Sequence, residues 1–66
     1  MKLWIARDKD GTLCIFREKP TLDVCYWFDN SIGNTGCIAE LLKTDFQEIT
    51  FENSPQQVEL KLINKL

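Results

Sequence analysis

The stretch Lys2-Leu3-Trp4-Ile5-Ala6-Arg7-Asp8-Lys9-Asp10-Gly11-Thr12-Leu13-Cys14-Ile15-Phe16-Arg17 decides the fold of this chain. Two apolar runs flank Asp8-Lys9-Asp10-Gly11. An Asp-Gly pair in that setting is a strong hairpin signal, because glycine takes positive φ without steric penalty. The spacing predicts a three-residue loop, Lys9-Asp10-Gly11, built as a type I turn with Gly11 left-handed in a bulge. That register sets Asp8 opposite Thr12, Arg7 opposite Leu13, Ala6 opposite Cys14, Ile5 opposite Ile15 and Trp4 opposite Phe16. A two-residue Asp10-Gly11 turn is the alternative, and it would change the pairing and the cross-strand partners. Directly opposed residues share a face. One face then carries Leu3, Ile5, Leu13 and Ile15, closed at its ends by Arg7 and Arg17; the other carries Trp4, Ala6, Cys14 and Phe16. Both faces are apolar, which predicts a hairpin that lies centrally or has its second face partly covered.

Beyond the hairpin, Glu18-Lys19-Pro20-Thr21 is a polar break. Pro20 lacks an amide N–H and drives Lys19 towards extended geometry, so the second strand ends near Arg17. Leu22-Asp23-Val24-Cys25-Tyr26-Trp27-Phe28 is β-branched and aromatic and reads as one strand. Asp29-Asn30-Ser31-Ile32-Gly33-Asn34-Thr35-Gly36 has the composition of a loop. Cys37-Ile38-Ala39-Glu40-Leu41 follows as a short strand, expected antiparallel to the one before. Thr44-Asp45-Phe46-Gln47 fits a capping box, Thr44 answered by Gln47, and predicts one helical turn with Phe46 as its buried anchor. Ile49-Thr50-Phe51-Glu52 alternates, and Asn53-Ser54-Pro55 breaks the chain again. Val58, Leu60 and Leu62 then alternate with Glu59 and Lys61 as a strand would. A C-terminal helix after Pro55 is the rival, since Val58, Leu62 and Leu66 also recur at helical spacing. Five to six short strands at this spacing predict an all-β fold: a small antiparallel sheet, barrel-like or sandwich, in a single domain over residues 1–66.

Composition narrows the function classes. A core drawn from 66 residues rarely supplies more than about 3–5 kcal/mol of net stability, so such chains often lean on disulfides, metals or partner subunits. The apolar share of 44% is that of a folded domain and argues against disorder. Net charge is −2 with both signs interspersed, which disfavours nucleic acid as a partner, because phosphate binding needs clustered Lys and Arg. Cys14, Cys25 and Cys37 are an odd number without C-x-x-C spacing and read as reduced, buried, small apolar side chains. A Cys25–Cys37 bridge is conceivable from neighbouring strands, but spacing cannot decide it. With no His and no paired cysteines, no metal or cofactor is expected. The N-terminus enters a strand directly, and no run approaches the roughly 18 apolar residues of a membrane span. These features predict a cytoplasmic protein with no membrane partner.

Three segments also carry a resemblance. Ala6-Arg7-Asp8-Lys9-Asp10-Gly11-Thr12-Leu13, then Glu18-Lys19-Pro20, and finally Phe46-Gln47-Glu48-Ile49-Thr50-Phe51-Glu52-Asn53-Ser54-Pro55 form a pattern. It resembles that of a group of short uncharacterised proteins from Bacteroides-type gut bacteria and their mobile elements. The likeness covers most of the chain, with the middle most divergent. It implies a bacterial or phage-derived cytoplasmic protein and nothing about chemistry.

Candidate sites are few. Asp8, Asp10 and Thr12 around Gly11 invite a calcium-loop reading, but a loop counted from Gly11 as its sixth position puts Ala6 first and Arg17 twelfth, where oxygen ligands are required. Without His, a serine or cysteine nucleophile lacks its usual base. Glu48 and Glu52 are the remaining acid–base pair, and the chain is expected not to be an enzyme. Trp4, Phe16, Tyr26, Trp27 and Phe28 exceed what one core face can take, given strand alternation. Trp4, Phe16, Arg17 and Trp27 are therefore the candidate partner-binding residues, of types enriched at interfaces. A homodimer, or the C-terminal segment, would also cover such rings. The sequence points to a small protein–protein interaction module, a mobile-element accessory or inhibitor. The alternative is a small-ligand or nucleotide-binding β protein, with the loop at residues 32–36 closing over the ligand.

Overall fold

The computed structural model describes residues 2–29 and 37–59. Those residues form six strands and no helix: β1 (Lys2–Arg7), β2 (Leu13–Phe16), β3 (Thr21–Asp23), β4 (Tyr26–Phe28), β5 (Cys37–Leu41) and β6 (Gln56–Glu59). The hairpin turns as its sequence dictates. Gly11 has φ +99°, its N–H donates to the Asp8 carbonyl at 2.9 Å, and the Asp8 N–H donates to the Thr12 carbonyl at 2.8 Å. The Asp10 carboxylate receives the Thr12 N–H at 2.9 Å, tying the loop to the start of β2. β1 and β2 pair Arg7 with Leu13, Ala6 with Cys14, Ile5 with Ile15 and Trp4 with Phe16. This is the three-residue-loop register.

The hairpin is central in a four-stranded antiparallel sheet of order β5-β2-β1-β6. β6 pairs with β1 (Leu3 opposite Val58, Ile5 opposite Gln56), and β5 pairs with β2 (Leu13 opposite Leu41, Ile15 opposite Ala39). The outer strands β5 and β6 do not meet, so the sheet is open and not a closed barrel. On its first face Ile5, Leu13 and Ile49 are buried together, with Ile15, Leu41 and Val58 packed against them. The second face is not left to solvent. β4 lies against β1, and Ala6 and Phe16 on that face are buried. The expectation of a central hairpin with both faces in use holds.

Four expectations do not. The aromatic run 22–28 is not one strand but two, β3 and β4, paired antiparallel with Asp23 opposite Tyr26. The reversal is at Val24, whose φ is +59°, and the Cys25 N–H bonds back to the Asp23 carbonyl at 2.6 Å. No glycine or asparagine marks this turn, and a β-branched residue there is strained. The Tyr26 hydroxyl meets the Asp23 carboxylate across the pair at 3.0 Å. Cys25 consequently sits exposed in a turn instead of buried in a strand. β5 pairs with β2 and not with the aromatic segment before it. The helical turn at Thr44-Asp45-Phe46-Gln47 is absent. The Asp45 N–H closes a turn on Leu42, and the Ile49 N–H closes another on Phe46. Phe46 has φ +49° and is 52% exposed, so Ile49, and not Phe46, is the buried anchor. Finally, the alternation at Ile49-Thr50-Phe51-Glu52 is not a strand. Thr50 and Asn53 exchange backbone-to-side-chain bonds that curl it into a turn. The loop at 30–36, the alternating tail beyond Glu59 and its helical rival lie outside the described residues.

Arg7 holds the irregular segment 42–55 to the sheet. Its Nε donates to the Ile49 carbonyl at 2.6 Å. One terminal nitrogen donates to Gly11 and Lys43, both at 2.9 Å, and the other to Asp45 at 2.8 Å and Phe46 at 3.1 Å. All five guanidinium N–H groups meet backbone carbonyls. A lysine has three donors on a single atom and leaves at least two of those carbonyls without a charged partner. Each such bond is worth a net ~0.5–1.5 kcal/mol, so Arg7→Lys is expected to lower the unfolding free energy by about 1–3 kcal/mol in a urea titration. Gly11→Ala is expected to lower it by about 1–2 kcal/mol through the positive φ alone. An added Cβ there meets only the Lys43 Cδ, at 3.6 Å.

Candidate functional site

The four residues proposed from sequence as a partner surface differ in exposure. Phe16 is 1% exposed and belongs to the interior. Trp4 is half-buried, with the Lys19 ammonium 5.6 Å from its ring centroid. Trp27 is half-buried against Phe51, the ring centroids 6.5 Å apart. The Trp27 Nε1–H is buried and has no hydrogen-bond partner. Arg17 alone of the four is exposed. Of the surplus rings, Phe16 is buried, Trp4, Trp27 and Phe28 are half-buried, and Tyr26 stays exposed. Strand alternation could not reveal this, because it does not show that the chain turns at Val24.

The open surface is on the other face of the sheet. Leu3 and Ile5 of β1, Ile15 of β2 and Val58 of β6 form the floor of a groove whose wall is Phe46 and Ile49. Its volume is about 450 Å³, and its polar residues are Glu48, Gln56 and Glu59. Two features set its shape. Ile49 of the 42–55 segment packs on Ile5 and Leu13 and so closes one part of the apolar face. Arg7, by holding the Asp45, Phe46 and Ile49 carbonyls, fixes where the wall stands. The left-handed backbone at Phe46 is strained for an aromatic residue. Strain of that kind persists only where the surroundings impose it. Sequence reasoning assigned the floor residues correctly to the core face but took Phe46 as buried; the missing signal was the identity of the Arg7 acceptors.

A second concavity of about 340 Å³ lies at the hairpin end, lined by Arg7, Asp8, Lys9, Thr50, Phe51 and Glu52 among others. It is poorly suited to an anion, because the Arg7 donors are already committed to carbonyls. Glu48 lines the apolar groove and Glu52 this second concavity, so the two carboxylates considered for acid–base work are not brought into a single cleft. Among the described residues no three Cys, Asp or Glu side chains are placed to hold a metal ion. Nor is any helix of them long and apolar enough to cross a membrane. No family model matches the chain, and no curated protein or solved structure matches it significantly.

Asp8 links the two sheets. Its Oδ1 accepts the Trp27 N–H at 2.8 Å, while the Lys9 N–H donates to the Cys25 carbonyl at 2.9 Å. Desolvation pushes the Asp8 carboxyl above its ordinary pKa; the Trp27 bond opposes that rise, and repulsion from Asp10 and Glu40 adds to it. A carboxyl with a raised folded-state pKa binds protons more readily folded than unfolded, so its contribution to stability declines as pH climbs from the unfolded value to the folded one. Asp8→Asn keeps an oxygen for the Trp27 N–H and removes the charge. It is expected to raise the melting temperature at neutral pH and to lose that advantage below the carboxylate range, which melting curves taken across pH will show.

Proposed function

We propose that this chain is a small protein–protein interaction module whose groove takes an extended, apolar segment of a partner protein flanked by Lys or Arg. The observation that carries this is a groove of about 450 Å³ with an apolar floor of Leu3, Ile5, Ile15 and Val58 beside an exposed Phe46 held in strained backbone. An aromatic edge beside an apolar floor suits alternate side chains of an extended segment, and recognition of that kind needs no chemistry from the module itself. Charge supports the basic flanks, since Glu48 and Glu59 border the groove and no Lys or Arg lines it among the described residues. The same carboxylates weigh against a nucleotide, whose phosphates they would repel. The resemblance to short proteins of gut bacteria and their mobile elements supports an accessory or inhibitor acting in a bacterial cytoplasm.

The test is selection from a displayed library of random peptides against the full chain. The expected winners alternate apolar residues and carry Lys or Arg at their ends, with affinity falling as salt rises. Phe46→Ala is expected to weaken them about tenfold, the effect of losing roughly 1.4 kcal/mol, and Glu48→Lys with Glu59→Lys to reverse the preference to acidic flanks. Winners that bind wild type and Phe46→Ala equally would remove the groove as the site. Self-association in sedimentation that competes with the peptides would instead make a second copy of this chain the occupant.

A further inference from the structure

The second face of the sheet holds a pair of thiols that the pairing pattern brings together. On β2 and β5, Cys14 is opposite Glu40 and Ile15 opposite Ala39, but Phe16 is opposite Cys37. One extra residue, Ile38, is therefore inserted on β5. In an unbroken ladder Ile38 would face Phe16, and Cys37 would point to the opposite side of the sheet from Cys14, because side chains alternate with period two. The bulge shifts Cys37 by one position and turns it to the face of Cys14; re-aiming a side chain is what bulges commonly do.

The two side chains interact. Burial holds the Cys14 thiol well above its ordinary pKa, with a hydrogen bond and charge interaction to Cys37 next in size and Asp8 and Glu40 adding to the effect. The Cys37 sulfur in turn lies 3.3 Å from the Ala39 carbonyl, within the bulge. Both cysteines are half-buried and free, while Cys25 is exposed in the turn between β3 and β4.

We propose that Cys14 and Cys37 form a reversible disulfide that links edge strand β5 to β2, with glutathione disulfide or a similar low-molecular-weight disulfide as oxidant. The Cys37 thiolate attacks one sulfur of the oxidant, forming a mixed disulfide and releasing one glutathione thiolate. Capping Cys37 removes its contribution to holding the Cys14 proton. Cys14 then gives up that proton to solvent, its sulfur attacks the Cys37 sulfur, and the second glutathione leaves as thiolate. Two thiols become one disulfide, and one glutathione disulfide becomes two thiols, so electrons balance. Adjustment of the half-buried side chains must close the sulfurs to bonding distance.

Equilibration of the full chain in glutathione disulfide, acid quenching, alkylation and peptide mapping test this. The expected product links the Cys14 and Cys37 peptides, has lost two hydrogen atoms, reverts with excess reduced glutathione, and forms equally in Cys25→Ser. Cys14→Ser is expected to stop at a glutathione adduct on Cys37. A bond involving Cys25, an adduct on Cys37 of the wild-type chain with no internal bond, or failure of Cys14 and Cys37 to react unless the chain is unfolded would each overturn the proposal.

Discussion

The Arg7 guanidinium connects two parts of the chain that share no strand pairing. From β1 it reaches the Gly11 carbonyl in its own hairpin and the Lys43, Asp45, Phe46 and Ile49 carbonyls in the irregular segment after β5. Carbonyls in a segment with no ladder need partners when they turn inward. A planar fork with five donors supplies them from one residue, and the charge is spread over five dipoles. The same residue holds the far end of the segment: the Arg7 N–H donates to the Ser54 hydroxyl oxygen at 2.9 Å, and that hydroxyl donates to the Thr50 carbonyl at 2.6 Å. Segment 42–55 is thus fixed from a single position on the sheet.

The division of the apolar face follows from that attachment. With the segment drawn to the Arg7 end, Ile49 completes a core with Ile5 and Leu13, and a groove lined by Leu3, Ile15 and Val58 lies beside it. Among the described residues, 42–55 is the irregular segment that reaches that face, through Ile49. The other face is treated differently, because the β3–β4 hairpin is bonded to the Asp8–Lys9 corner and lies over it. One sheet therefore presents a closed side, where the aromatic rings and the Cys14–Cys37 pair are found, and an open side with the groove.

The legible part of the fold was the part written in neighbouring residues. Gly11 after Asp10 specified the turn, and the turn specified every partner along β1 and β2. Pro20 marked the end of the second strand for the same local reason. The aromatic run failed because its turn uses Val24, a residue with no turn preference, held by bonds from outside the run. Thr44 and Gln47 have the spacing of a cap, yet Arg7 takes the Asp45 and Phe46 carbonyls, and the backbone follows those bonds. The candidate surface moved for a related reason: Phe16 was counted as surplus when the cover above it could not be foreseen.

Local chemistry was therefore enough to establish an antiparallel β protein, the hairpin with its exact-facing pairs, and the apolar character of both its sides. Which side stays open, where Phe46 stands and which face Cys37 joins were settled only by the assembled chain. The Arg7 guanidinium acceptors beyond its own hairpin are 36 to 42 residues away, and the Cys37 face depends on one inserted residue in a pairing between distant segments. Periodicity reports which residues alternate. It contains no information about which distant carbonyl a donor will reach or where a ladder will slip.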